Sequence, residues 1–332
     1  MAPSIDWKEQ IGPDETARFE KLAEVLRGFQ QQHASKVPVA RGLHAKGQAG
    51  AEASFTVLPG LPDPVRVGLG AKPGTYRALV RYSNGKPSHQ SDRKPDVRGI
   101  AVKVIGVPGK KIIPGMEDET TQDFLAILGT STPFRDADEF VWFVAAAASP
   151  ATLIFKAIAK FGPWRALGLI KKLVQSATRK IDSVATARYS SQLPIKWGPY
   201  AVRYMFDPIA AADVNAKPGT TADYLGEELA ARLAKGPVEY DFKVQFFQDE
   251  KRTPIEDGSV DWKESDSPYF TVGRLTLPQQ TLDQASAERI EKLSFDPWHA
   301  LEEHRPLGAM MRARNAAYRL STQERKAAKE PN

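Results

Sequence analysis

Two groups of side chains, one towards each end of the chain, have the types and spacing to do chemistry. Near the C-terminus, Arg314-Asn-Ala-Ala-Tyr318 sets a guanidinium and a phenol four residues apart, on one face if the stretch is helical. A cation held beside a phenol favours the phenolate, which otherwise forms only near pH ~10. A phenolate is a hard anionic ligand suited to ferric iron. Read alone, the spacing is more simply a surface pair on a helix flank. The N-terminal half supplies Arg41-Gly-Leu-His44, Arg81-Tyr-Ser83 and Asp96-Val-Arg98-Gly. Imidazole titrates near neutral pH, so His44 is a candidate acid/base. A period of two over Tyr76–Ser83 puts Leu79, Arg81 and Ser83 on one face. Arg81 and Ser83 can then reach one cavity, with Ser83 placed to orient an imidazole; a purely structural donor role for His44 stays open at this point.

The elements that must position these groups follow from periodicity. Residues 13–32 read as an amphipathic helix, with Phe19, Leu22, Leu26 and Phe29 at helical spacing behind a Pro13-Asp14-Glu15 start. From about Val37 the period changes. Alternation marks strands at Ala53–Leu58, Tyr76–Ser83 (followed by an Asn84-Gly85 turn signal), Arg98–Ile105, Val238–Phe246 and Tyr269–Leu277. A helical middle is expected from Asp136 to about Leu193, and helices return over 285–293 and through the stretch that holds Arg314 and Tyr318. At least six strands with local connections, not alternating with helices, predict an α+β single domain built on an antiparallel sheet or closed barrel.

Composition narrows the function. A chain of 332 residues with a formal charge of +6 has room for a large core and only a mild preference for anions. No basic-aromatic cluster resembles a nucleic-acid surface. The absence of cysteine excludes disulfides, thiolate metal sites, iron–sulfur clusters and cysteine nucleophiles. The N-terminus has no apolar signal-peptide core, and the apolar tract Phe140–Phe161 is interrupted by Ser149-Pro150, Lys156 and Lys160, so a cytoplasmic protein without a membrane span is expected. The segment from Trp164 to Leu173 has an apolar and a basic face; core packing is the first reading and membrane-surface binding the second.

In order along the chain, Arg41-Gly-Leu-His-Ala-Lys-Gly, Val80-Arg-Tyr-Ser-Asn-Gly and Val97-Arg-Gly-Ile-Ala-Val-Lys resemble the distal-side motifs of haem catalases. Arg314-x-x-x-Tyr318 resembles their proximal motif. Phe295-Asp-Pro-Trp-His-Ala-Leu-Glu-Glu-His-Arg-Pro-Leu-Gly, Pro254–Trp262 and Leu275–Gln280 look like the short catalase-related haem proteins and peroxidases. The resemblance implies a catalase-like antiparallel β-barrel with flanking helices, divided into an N-terminal arm (1–36), a haem-binding domain (37–325) and a flexible tail (326–332). It implies a homo-oligomer, and haem b as cofactor, with Tyr318 as the iron ligand and Arg314 keeping it ionised. It matches Arg41, Arg81 and Arg325 to the arginines that pair with haem propionates, and Phe140 to an aromatic of the distal wall. His44 matches the acid/base that moves the peroxide proton, and Ser83 its hydrogen-bonding partner.

One departure bears on the reaction. Full catalases carry a distal asparagine in a Gly-Asn-Asn-Thr-Pro type segment; here Leu128-Gly-Thr130-Ser-Thr-Pro puts threonine at that position, and no asparagine occurs from Thr121 to Ala137. Threonine offers a single donor on a shorter side chain. The expectation is a peroxidase that reduces hydrogen peroxide or organic hydroperoxides with a small-molecule electron donor and evolves little oxygen. The alternatives are a hydroperoxide-rearranging enzyme of the allene oxide synthase kind and a haem-binding protein without turnover.

Overall fold

The computed structural model describes residues 3–34, 41–147, 152–178, 181–210 and 219–331. Nine strands, β1 (Gly47–Val57), β2 (Gly74–Asn84), β3 (Arg98–Ile105), β4 (Thr121–Leu128), β5 (Tyr189–Ser190), β6 (Ile195–Trp197), β7 (Tyr200–Pro208), β8 (Val238–Phe246) and β9 (Tyr269–Leu277), form one sheet. Their order is β5-β4-β3-β2-β1-β9-β8-β7-β6, and β5 also pairs with β7. That last pairing closes eight strands into an antiparallel barrel, with β6 as a hairpin flap on β7. Closure removes the exposed edges that an open sheet would present.

Alternation decides what fills the barrel. Val80 and Tyr82 of β2, and Tyr240, Phe242, Val244 and Phe246 of β8, join Phe55, Phe124, Tyr204 and Phe206 in a single buried core. Phe124 and Phe206 lie 4.9 and 5.3 Å from the Phe242 ring, so the interior is packed with aromatic side chains. Each such ring contributes roughly 1.5–3 kcal/mol by leaving water. The opposite face of β2 carries Leu79, Arg81 and Ser83, as its period requires. Arg81 and Ser83 therefore lie outside the barrel wall.

Among the described residues seven helices flank this barrel: α1 (Glu15–Ala34), α2 (Ala137–Ala146), α3 (Leu153–Phe161), α4 (Pro163–Ala177), α5 (Tyr224–Leu233), α6 (Gln284–Lys292) and α7 (Ala309–Glu324). The expected helical middle stops at Ala177, well short of Leu193. β5 is two residues long and β7 is buried on nearly every residue, so neither shows the alternation that marks a strand. The expected boundary at 36/37, the period change at Val37 and the Ser149-Pro150 break lie outside the described residues. No helix among the described residues is long and apolar enough to cross a membrane.

α7 is fixed from three sides. Phe19 and Leu22 of α1 pack with Ala309 and Ala313. Arg312 pairs with Glu9, Glu15 and Glu256, at 2.5, 2.5 and 3.3 Å. The first N–H groups of the helix donate to the Glu9 and Glu256 carboxylates, which also complement the positive end of its dipole. After α7, the stretch expected to form the tail runs back along the barrel: Ala328 N–H donates to Lys292 O, and Glu330 is buried against Lys103 and Thr121.

Candidate active site

His44 sits in the short segment entering β1, with backbone φ of 55°, a left-handed conformation rare for a residue with a side chain. Two hydrogen bonds hold it there. Its N–H donates to Gly85 O at 2.9 Å, and Arg81 Nη2 donates to its carbonyl at 2.9 Å. The ring is fixed by Ser83, whose Oγ lies 3.0 Å from Nδ1. With Nδ1 engaged by serine, Nε2 is the nitrogen left to exchange protons. Burial, reinforced by Arg81, Arg314 and Arg41, pushes the imidazole pKa down to about 3. His44 is therefore neutral at physiological pH and able to accept a proton. As a whole residue it is half-buried.

Arg314 lies on α7. Its Nη2 donates to Tyr318 Oη at 2.8 Å and its guanidinium lies 5.1 Å from the Tyr318 ring centre, as the i, i+4 helical spacing requires. Burial acts against the charge on Arg314, but the Tyr318 oxygen outweighs it and holds the pKa above the usual arginine range. The charge of Arg314 is among the causes that lower the His44 pKa, so α7 comes near the segment that enters β1.

Arg41, Arg81 and Arg325 converge on the C-terminal end of α6. Arg81 is paired with Glu291 at 2.7 Å and Arg41 with the same carboxylate at 3.1 Å. Arg41 also donates to the carbonyls of Glu291 and Leu293, at 2.6 and 3.1 Å, and Arg325 donates to Leu293 O at 3.0 Å. The last carbonyls of a helix carry partial negative charge, which suits this cluster of cations. It does not neutralise them. Burial and the charges of Arg81 and Arg325 push Arg41 down to about 9, and burial first among its causes pushes Arg325 to about 10. Glu291 is shared between Arg81 and Arg41, and Arg325 has no ion pair with it.

Nothing in the sequence marks Glu291 for this role. It lies on an amphipathic helix, and only the folded chain brings it to two arginines. Burial raises its pKa, but Arg81 and Arg41 more than offset that and leave it below the usual 4.5. The folded carboxyl thus holds its proton less tightly than the unfolded one. Its contribution to stability is complete above about pH 4.5 and is lost as pH falls through the folded value. Glu291→Gln should lower stability by roughly 2–4 kcal/mol near neutral pH, since it leaves buried guanidiniums unpaired. Thermal melts between pH 3 and 7 should show the difference between wild type and variant shrinking towards acid.

No protein-family model matches the sequence. The catalase-related peroxidase of Mycolicibacterium paratuberculosis (strain ATCC BAA-968 / K-10) is 30% identical over 304 residues, covering 87% of this chain and 90% of that protein. This chain belongs to the catalase-related peroxidase family. Among solved structures, a bacterial catalase superposes with a TM-score of 0.66 at 19% identity, and a fungal catalase with 0.61 at 17%. They match 98% and 97% of this chain, which spans 64% and 66% of their own lengths. The barrel is thus a catalase-like fold and the protein an oxidoreductase.

Seven of the nine side chains singled out in the sequence fall into the linked groups described above: His44 with Ser83, Arg314 with Tyr318, and Arg41, Arg81 and Arg325 around α6. Phe140 of α2 is half-buried and meets Phe134 edge-on at 5.3 Å. Thr130 stands apart. It is exposed at the bend after β4, its carbonyl accepts from Arg203 at 3.4 Å, and no hydrogen bond joins its side chain to His44 or Ser83. Gly99 is the second residue that the sequence reading missed. Opposite Ser83 on β3, it has no room for a side chain, because a Cβ would lie 2.9 Å from His44 Cε1. Gly99→Ala should rotate the imidazole away from Ser83 and lower peroxide turnover by up to about 100-fold, with a stability loss of about 1–3 kcal/mol. Steady-state kinetics beside a melting curve would check both halves of that expectation.

Proposed function

We propose that this catalase-related peroxidase binds haem b between the outer face of β2 and α7 and reduces hydrogen peroxide or organic hydroperoxides at the expense of a small-molecule electron donor. The observation that carries the reading is the pairing of a neutral, serine-held His44 with the Arg314–Tyr318 couple across one site. The donor set fits the cofactor. Tyr318 Oη is an oxygen ligand suited to ferric iron, and Arg314 places a positive charge against it. Arg41, Arg81 and Arg325, three guanidiniums gathered at one end of α6, suit a group that carries two propionates.

When bound, ferric haem supplies the redox chemistry that cleaves the O–O bond. The chain's own residues handle binding and protons. His44 Nε2 takes the proton of the incoming hydroperoxide and returns it to the oxygen that leaves as water or alcohol. Ser83 keeps the ring in the orientation this transfer needs. Arg81 has two roles, since it belongs to the propionate cluster and also holds the His44 carbonyl.

Thr130, which takes the asparagine's place in the motif, is exposed and forms no hydrogen bond to His44 or Ser83, and the lack of a distal donor there favours peroxidase over catalase action. Losing a positioned donor near developing charge can cost ~10²-fold or more in rate. Purified protein should show a tyrosinate-ligated haem spectrum and oxidise a phenolic or dye donor faster than it releases oxygen. Turnover of hydrogen peroxide dominated by oxygen release would overturn this assignment.

A further inference from the structure

The α3–α4 hairpin has a face that the site does not use. Of the ten large apolar side chains exposed among the described residues, six lie on it: Ile154, Phe155 and Ile158 on α3, and Trp164, Leu167 and Val174 on α4. Trp164 is 87% exposed and Phe155 75%. These residues form stripes. Positions 154, 155 and 158 share one side of α3, and 164, 167, 171 and 174 recur along one side of α4. The stripes are not misplaced core faces, because Ala157, Ala166 and Leu169 already pack inwards. Exposed apolar stripes of this kind, on two helices that pack together, mark a surface with a partner.

Charge identifies the partner. From 140 to 181 the sequence has seven lysines and arginines and no aspartate or glutamate. Arg165 is engaged by Glu139, and Lys172 donates to Ser259 O. Lys156, Lys160 and Lys171 are exposed and make no ion pair among the described residues. Lys171 shares the stripe of Trp164, Leu167 and Val174, while Lys156 and Lys160 flank Phe155 and Ile158. Tryptophan seats at headgroup level, aliphatic and phenyl groups reach the acyl boundary, and lysine stems stretch to anionic headgroups. A surface rich in phosphate and hydrocarbon satisfies all three at once.

We propose that the α3–α4 hairpin docks the protein onto the surface of an anionic lipid bilayer. The helices lie in the interface, since neither is long and apolar enough to cross it. The inference does not depend on the haem reading, although α2 ties the hairpin to Phe140 through Trp142 on Phe161, at 4.8 Å, and Glu139 on Arg165.

The test is flotation of the full-length protein, as purified, with vesicles of phosphatidylglycerol and phosphatidylcholine against vesicles of phosphatidylcholine alone. Binding is expected on the anionic vesicles and should weaken as ionic strength rises. Replacing Lys156, Lys160 and Lys171 together with alanine should weaken it by about fivefold per lysine, on the order of a hundredfold in all. Vesicles should also shift tryptophan emission to the blue in wild type and much less in Trp164→Phe. Failure to float with anionic vesicles, or equal flotation of the triple variant, would overturn the proposal. So would light scattering in which Phe155→Ser with Trp164→Ser dissociates an oligomer while vesicle binding is unchanged, because that face would then join copies of this chain.

Discussion

On the proposed haem reading, Tyr318→Phe should leave the barrel folded and deprive the iron of its protein ligand. The substitution removes one oxygen, the acceptor for Arg314 Nη2 at 2.8 Å, and keeps the ring that packs beside the guanidinium. Even removing a hydrogen-bonding neighbour of a metal ligand typically costs 10–100-fold in affinity or activity. Removing the ligand itself should cost more, with the tyrosinate-type absorption lost from whatever haem remains. Stability should fall modestly, by about 1–3 kcal/mol, since a buried donor on Arg314 loses its partner. Haem titration and absorption spectra of wild type and variant at matched protein concentration provide the measurement. A variant that keeps the wild-type spectrum would falsify Tyr318 as the ligand.

His44→Ala should do the reverse, keeping haem and losing the reaction. Positioned acid/base groups contribute typically 10²–10⁴-fold, and kcat/KM for peroxide should drop within that range while haem content holds. Unchanged rates would favour a haem carrier over an enzyme. The pH profile gives a second check. Because His44 has a pKa of about 3, wild-type kcat/KM should show no inflection near 6.5 between pH 5 and 8. The stability consequence has the opposite sign to that of a paired histidine. The unfolded imidazole binds a proton that the folded one refuses, so stability falls as pH drops from 6.5 towards 3. The alanine variant should resist mild acid better than wild type does.

The Arg314–Tyr318 pair was legible because it is local, four residues on one helix, and β2 was legible because period two separated Arg81 and Ser83 from Val80 and Tyr82. β8 and β9 could be read for the same reason. β7 could not. Its residues are buried on both faces, and Arg203 sits among them with its guanidinium 4.5 Å from the Trp262 ring, so polarity does not report direction. Glu291 and Gly99 were hidden for a different reason. A carboxylate on an amphipathic helix and a glycine in a strand look ordinary until the fold brings arginines to one and a histidine ring to the other. Thr130 was found through its place in a motif, and the structure sets it on an exposed bend instead of in the hydrogen-bonded group around His44.

The pairing of β1 with β9 has a consequence for the order of events during synthesis. Ser54 is registered against Thr276, roughly 220 residues later, and α7 follows β9 in the chain. Contacts between such distant segments are slow to form, because the intervening chain must be ordered first. Until β9 arrives, one edge of β1 has no neighbour and is open to pairing with other chains. Arg41 and His44 are made early and wait for Glu291, Arg314, Tyr318 and Arg325, which come last. A ribosome-bound chain therefore cannot complete the site until its last segments have been made.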